Sequence, residues 1–302
     1  MNGDFENLTS NYYDLVNLLP NVLGNSLPRQ VYQFGSVRAK GNAIVTTNAV
    51  DVDMDLYSQL GKVSAFVLLE NLDNVKNASY NGNIISNKFN VGQLLGRKSV
   101  GNSAFDIHVD GHGFTLENLN TKIEGDISTL EFNGYTYTNI DAQGTLRDRV
   151  FDGNLNSKDP NVKFNFNGVA DLSKKIHNYN FIAYVDYVDL NKLNLFTRDS
   201  ISVFNGDVYM NMKGTGINDA YGTISFEKTL YTNQDKGFYF EDFDITSSFD
   251  DKNIRTITIN SPDIIEGSVK GIFRFENVYD LFRNSIGSLY TNFEATEITD
   301  NE

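Results

Sequence analysis

The chain has 302 residues, a formal net charge of −14 and no cysteine. Such acidity argues against a nucleic-acid partner, whose phosphates call for a basic face, and against docking on anionic lipid headgroups. Without cysteine there is no disulfide framework and no thiolate chemistry, and no apolar run approaches the roughly 20 residues of a membrane-spanning helix.

Met1 leads straight into Asn2-Gly3-Asp4 without a signal-peptide pattern, which predicts a cytosolic protein or a segment of a longer chain. Residues 1–31 are expected to form a short helical segment. Leu15, Leu18, Leu19, Val22 and Leu23 recur at helical spacing, Ser10 is placed as an N-cap, and Pro20 ends or kinks the helix.

From Tyr32 the apolar period changes to two, and residues 32–291 are read as an elongated run of strands. Val50, Val52, Met54 and Leu56 alternate with Asp51, Asp53 and Asp55, and Phe105, Ile107 and Val109 alternate with Asp106, His108 and Asp110. Strands are predicted over about 32–46, 49–58, 62–70, 78–86, 101–110, 113–125, 128–138, 139–148, 149–156 and 161–170. More follow over about 178–188, 204–214, 219–228, 236–249, 252–260 and 264–277. The breaks fall at Asn81-Gly82, Asp110-Gly111, Asn133-Gly134, Asp152-Gly153, Asn167-Gly168 and Asn205-Gly206, dipeptides that favour primed hairpin turns or, alternatively, mid-strand bulges. Tyr135 and Tyr137 are out of phase with Ile140 and Ala142, so a bulge or turn is expected between them. Helical interruptions are read at 189–196 and 278–289, and 292–302 is an acidic tail.

Each strand has one apolar and one wet face, and the apolar side must be buried against something. A sandwich or barrel core and a long open groove are both compatible with this periodicity, and strand count leans toward a single curved sheet.

Chemistry-bearing patterns are weak. His108 and His112, with Asp106 and Asp110, contain zinc-ligand residue types, but Asp110-Gly111 reads as a hairpin turn and His108 lies on the polar strand face. Asp51, Asp53 and Asp55 imitate the start of a calcium loop, yet Leu56 stands where its glycine and Lys62 where its glutamate belong. Gly214-Thr215-Gly216 lacks the third glycine of a dinucleotide fingerprint. Asn7-Leu8-Thr9 and Asn77-Ala78-Ser79 match glycosylation sequons, which arise by chance in an asparagine-rich chain. No nucleophile motif or P-loop is present, so the expectation is a non-enzymatic protein without metal or cofactor.

The stretch from Tyr135 to Phe196 carries a run of small motifs. It reads Tyr135-x-Tyr137-x-Asn139-Ile140, Gly144-x-Leu146, Phe151-x-Gly153-x-Leu155, Asp159-Pro160-Asn161, Phe164-x-Phe166-x-Gly168, Asp171-Leu172-Ser173 and Asp189-Leu190-x-x-Leu193. Its flanks hold Tyr80-x-Gly82-x-Ile84, Phe89-x-x-Gly92-x-Leu94-Leu95, Ile259-x-Ser261-Pro262-Asp263 and Gly267-x-Val269-x-Gly271-x-Phe273. From about Gln33 to Leu289 the chain resembles the AsmA/TamB family of periplasmic proteins in its Bacteroidetes form. It lacks that family's N-terminal anchor and C-terminal conserved domain, and so resembles a middle segment.

The resemblance implies an all-β fold: an elongated antiparallel sheet folded lengthwise into a U-shaped hydrophobic trough, a β-taco. It implies a periplasmic location, anchored to the inner membrane through a segment absent from this chain, and transport of phospholipids to the outer membrane. Phospholipid acyl chains and an Omp85-type outer-membrane barrel are the implied partners. Residues expected to face the trough are Val52, Met54, Phe105, Ile107, Phe164, Phe166, Phe181, Val185, Val208, Met210, Ile257, Ile259, Phe273 and Phe275. The alternatives are a scaffold or chaperone that templates outer-membrane proteins at a sheet edge, and a closed β-solenoid stalk with a dry core.

Overall fold

A computed structural model describes residues 2–11, 13–14, 29–72, 78–113, 118–196 and 199–274. Sixteen strands run in chain order: β1 (Asn2–Asn11), β2 (Ser36–Val45), β3 (Ala49–Ser58), β4 (Gly61–Glu70), β5 (Ser79–Asn90), β6 (Val100–His112), β7 (Asn120–Phe132) and β8 (Tyr135–Arg147). They continue as β9 (Val150–Asp159), β10 (Val162–Asp171), β11 (His177–Asp189), β12 (Ser202–Gly214), β13 (Tyr221–Asn233), β14 (Gly237–Phe249), β15 (Arg255–Ser261) and β16 (Ile265–Gly271). A 3-10 turn (Arg29–Phe34) and one short helix, α1 (Val91–Leu95), complete the described elements.

Each strand pairs antiparallel with its neighbours in sequence, so the sheet reads β1 to β16 in unbroken order. At about 4.8 Å per strand it is about 70 Å long. This is the expected all-β, elongated antiparallel sheet. Among the described residues the linear order leaves β1 and β16 as open edges, unlike a closed barrel, and the antiparallel meander is not the coil of a β-solenoid.

Three sequence expectations need correction. Residues 2–11 form a strand paired with β2, and the reciprocal cap sits at Asn11, not at Ser10, which lies within β1. There Asn11 Oδ1 accepts the N–H of Tyr13 at 2.9 Å, and Asp14 Oδ2 accepts the Asn11 N–H at 3.2 Å. The Leu15–Leu23 repeat, the 278–289 helix and the 292–302 tail lie outside the described residues. Next, Asp110-Gly111 is not a turn: β6 runs through it to His112, and the predicted strands 113–125, 128–138 and 139–148 resolve into β7 and β8. Lastly, 189–196 is a single helical turn rather than a helix. Asn194, at φ 60, ends it, with N–H bonds from Asn194 to Asn191 O and from Leu195 to Leu190 O.

Of the six predicted turn dipeptides, only Asn133-Gly134 makes a hairpin. The other glycines lie inside strands because neighbouring backbone crowds their missing side chains. A Cβ on Gly82, at φ 157, would lie 2.0 Å from Phe66 O on β4.

One margin of the sheet carries a line of irregularities. Register shifts occur at Phe5/Leu8, Lys62/Ser64, Ser86/Phe89, Ala104/Phe105, Lys163/Phe164, Val185/Val188 and Asn205/Asp207. Asn139 (φ 54) and Lys228 (φ 47) fall on the same line, and Asn139 accounts for the phase change between Tyr137 and Ile140. Each lies near the end of an odd strand or the start of an even one. A bulge bends its strand and increases the local twist, and these bulges align lengthwise along one margin, the crease line of the sheet. Buried hydroxyls satisfy backbone carbonyls there: Ser86 donates to Lys62 O at 2.6 Å, Ser103 to Thr129 O at 2.8 Å and Ser157 to Val162 O at 2.8 Å.

Candidate functional site

Cα partners followed from strand to strand trace a single row across all sixteen strands. It reads Gly3, Ala43, Val52, Val67, Gly82, Val109, Ile123, Gly144, Gly153, Gly168, Phe181, Met210, Ile224, Ile245, Ile259 and Gly267. Every member is apolar or glycine. A second row on the same face runs from Phe5 through Gly41, Met54, Ala65, Ile84, Ile107, Gly125, Ala142, Leu155, Phe166, Ala183 and Val208 to Phe226 and Phe243.

The intervening row points the other way. From Asp4 it passes Asn42, Asp53, Phe66, Asn83, His108, Glu124, Gln143, Asn154, Asn167, Ile182, Tyr209, Ser225, Asp244 and Asn260 to Glu266. Polar partners stitch this face: Asn42 Nδ2 donates to Asp4 Oδ1 at 2.7 Å, and His108 Nδ1 lies 2.7 Å from Asn83 Oδ1. On the same face Lys62 Nζ lies 2.8 Å from Asp55 Oδ2, and this contact holds the Asp55 carboxyl below its ordinary pKa. His108 therefore belongs to a polar ladder. Among the described residues no His, Asp or Glu cluster could hold a metal ion.

Twelve of the fourteen predicted groove residues fall on the apolar face. Val52, Phe181, Met210 and Ile259 lie in the first row, and Met54, Ile107, Phe166 and Val208 in the second. Phe105 pairs with Ile127 and Phe164 with Val185 toward the crease, while Ile257 pairs with Val269 toward the other margin. Phe273 follows β16, its ring 6.0 Å from the Arg255 guanidinium. Phe275 lies outside the described residues. Of the thirteen described, only Ile257 is buried; the rest are half-buried.

No second layer covers this face among the described residues. Two to three rows along about 70 Å make an apolar strip on the order of 1,000 Å², against a few hundred for the patches of ordinary monomers. Glycines occupy three consecutive first-row positions, Gly144, Gly153 and Gly168. Phenylalanine rings lean into that gap: Phe151 and Phe166 lie 6.5 Å apart, and Phe166 and Phe181 4.9 Å.

Both margins are fastened by buried polar groups. At the crease, fully buried Asp159 accepts the Tyr135 hydroxyl, the Asn161 N–H and both the N–H and hydroxyl of Thr138, all within 2.9 Å. Burial pushes the Asp159 pKa up, but these bonds outweigh it and hold the carboxyl below its usual range. At the opposite margin, Arg255 is 2% exposed and donates to the carbonyls of Ile217, Asn218 and Ala220 and to Ser247 Oγ.

Sequence reasoning missed an aromatic groove at the crease end of β12–β14. Phe204, Phe226, Tyr231, Phe238, Phe240 and Phe243 line it, with Leu190, Leu195 and Phe196 from the 190–196 turn. The bulge at Lys228 brings Phe226 and Tyr231 to one face, although their five-residue separation would place them on opposite faces of a regular strand. Comparison of the chain with family models, with curated proteins and with solved structures finds no match.

Proposed function

We propose that the chain is a segment of a periplasmic lipid conduit, its apolar face carrying phospholipid acyl chains between the inner and outer membranes of a Gram-negative bacterium. The reading combines the AsmA/TamB resemblance with one observation: an unbroken row of apolar or glycine positions over all sixteen strands, backed by a mainly polar row that includes Phe66 and Ile182.

Such a surface suits cargo that must move along it. Apolar contact is non-directional, so a chain can slide from strand to strand without breaking specific bonds. Relative to water, each buried CH₂ contributes about 0.8 kcal/mol, so one acyl chain is held without any polar constellation. Relative to a bilayer the exchange is near neutral, which favours passage over capture. Headgroups stay at the wet margins, and no catalytic residue is required.

Vesicle-to-vesicle transfer tests this reading. Phe166→Asp and Met210→Glu place charges in the second and first rows. Each is expected to abolish lipid transfer while circular dichroism retains the wild-type β signal. Transfer at the wild-type rate by both variants would overturn the conduit.

A second reading, a scaffold for outer-membrane protein insertion working with an Omp85-type barrel, is favoured by the edges of β1 and β16, which pair with no further strand among the described residues. Under it, a proline on the free N–H side of β16 harms function more than Phe166→Asp does.

A further inference from the structure

Among the described residues the apolar face has a floor and no roof over much of its length, but at β12–β14 the 190–196 turn adds a wall. Leu193 anchors that turn at 1% exposure on Val162 and Val188. The N–H groups of Leu195 and Phe196 both bond to Leu190 O, at 2.9 and 3.0 Å. The two side chains stand beside the floor 55% and 40% exposed, with no partner layer on them among the described residues.

The groove so formed has a volume of about 840 Å³, within the range of about 300–1,000 Å³ typical of small-molecule sites. Its floor includes Phe226 and Phe243, members of the second apolar row, so it opens onto the path already described. Lys236, in the turn between β13 and β14, lies 4.7 Å over the Phe238 ring at the groove's rim. A cation beside an apolar slot complements an acyl chain bearing a phosphodiester. The carboxylate lining the groove, Asp199, already accepts the Tyr231 hydroxyl at 2.8 Å.

We propose that this groove is a retention site that holds one phospholipid by an acyl chain, with its phosphodiester at Lys236, while the rest of the face only passes chains along. The inference rests on the conduit reading, and its test separates the two. The full chain is stripped of lipid, mixed with an equimolar amount of dioleoylphosphatidylglycerol and weighed by native mass spectrometry. Wild type is expected to keep one lipid. Phe240→Glu should lower occupancy about tenfold by charging the apolar floor, whereas Val52→Asp, on distant β3, should keep it. Undiminished retention by Phe240→Glu, or equal loss from both variants, overturns the site.

Because Phe240→Glu could disturb folding, a photocrosslinking residue placed at exposed Leu195 supplies a second readout, with Leu68 on the polar face as control. Lipid labelling at Leu195 alone is expected. Equal labelling at both, or crosslinking from Leu195 to another part of the chain, overturns the proposal. A wild-type chain that transfers lipid yet retains none overturns the site and leaves the conduit standing. One that retains a lipid but transfers none overturns the conduit instead.

Discussion

The hydroxyl of Tyr135 donates to Asp159 Oδ1 at 2.7 Å, joining the first residue of β8 to the last of β9 under the crease. The same carboxylate takes the backbone N–H groups of Thr138 and Asn161, so it fastens the start of β8, the end of β9 and the turn to β10. Replacing it tests whether the crease is held by polar bonds or by apolar contact alone.

Asp159→Asn exchanges an acceptor oxygen for an NH₂ that meets donors. At least one buried N–H is then unsatisfied, and a loss of about 2–4 kcal/mol is expected in the β8–β10 region. The pH dependence has a definite sign. The folded-state pKa lies below the ordinary 3.8, so the carboxylate's stabilisation is complete above the unfolded value and fades as pH falls through the folded one. Amide protection factors on β8–β10, measured against the intrinsic rate at each pH, are expected to fall below about pH 4 in wild type, and the Asn variant should lack that acid component.

Gly82→Ala probes how far a defect spreads. The added methyl would sit 2.0 Å from Phe66 O at φ 157, a conformation that costs a non-glycine residue about 1–3 kcal/mol. Strands contact mainly their sequential neighbours, as in a repeat array, so the damage should stay local. Hydrogen exchange is expected to rise on β4–β6 and remain unchanged on β12–β14. Uniform loss of protection would show that the sheet unfolds as one unit.

The strand repertoire was legible wherever alternation was clean. The Val50–Leu56 alternation delimits β3 to the residue, and the mismatch between Tyr137 and Ile140 marks the bulge at Asn139. The first strand was illegible because its two apolar residues, Phe5 and Leu8, stand three apart across a register shift, so no period-two alternation marks it. Asp110-Gly111 carried the local chemistry of a turn, but pairing on both sides of β6 outweighs local preference. The apolar face could be read because it depends on period alone. The aromatic groove could not, because it needs a phase flip at Lys228 and a turn 30 to 40 residues upstream along the chain.

Arg255→Met tests the margin opposite the crease. The guanidinium is held by three loop carbonyls and the Ser247 hydroxyl, and its Cζ lies 5.4 Å from the Phe249 ring centroid. Burial pulls its pKa down and the charge of Asp219 opposes that shift. Methionine fills similar space but leaves the carbonyls of Ile217, Asn218 and Ala220 without this donor, an expected cost of about 2–4 kcal/mol. The 215–220 loop should become protease-sensitive while β3–β6 stay protected. Unchanged proteolysis would mean that the loop is held by Asp219, which accepts N–H bonds from Thr215 and Gly216.

Leu193→Ala tests the wall of the aromatic groove. The side chain is 1% exposed and packs on Val162 and Val188, so its removal should cost about 3 kcal/mol, all of it in docking the turn. The backbone bonds that shape the turn involve no Leu193 side-chain atom, so the turn can persist while its seat is lost. Faster amide exchange at Leu195 and Phe196 is therefore expected, with β11 and β12 unaffected. Vesicle-to-vesicle transfer should continue, since the first two apolar rows are untouched, while retention of a single lipid should fall. A variant that loses transfer as well would show that the wall is part of the path itself and not a stop along it.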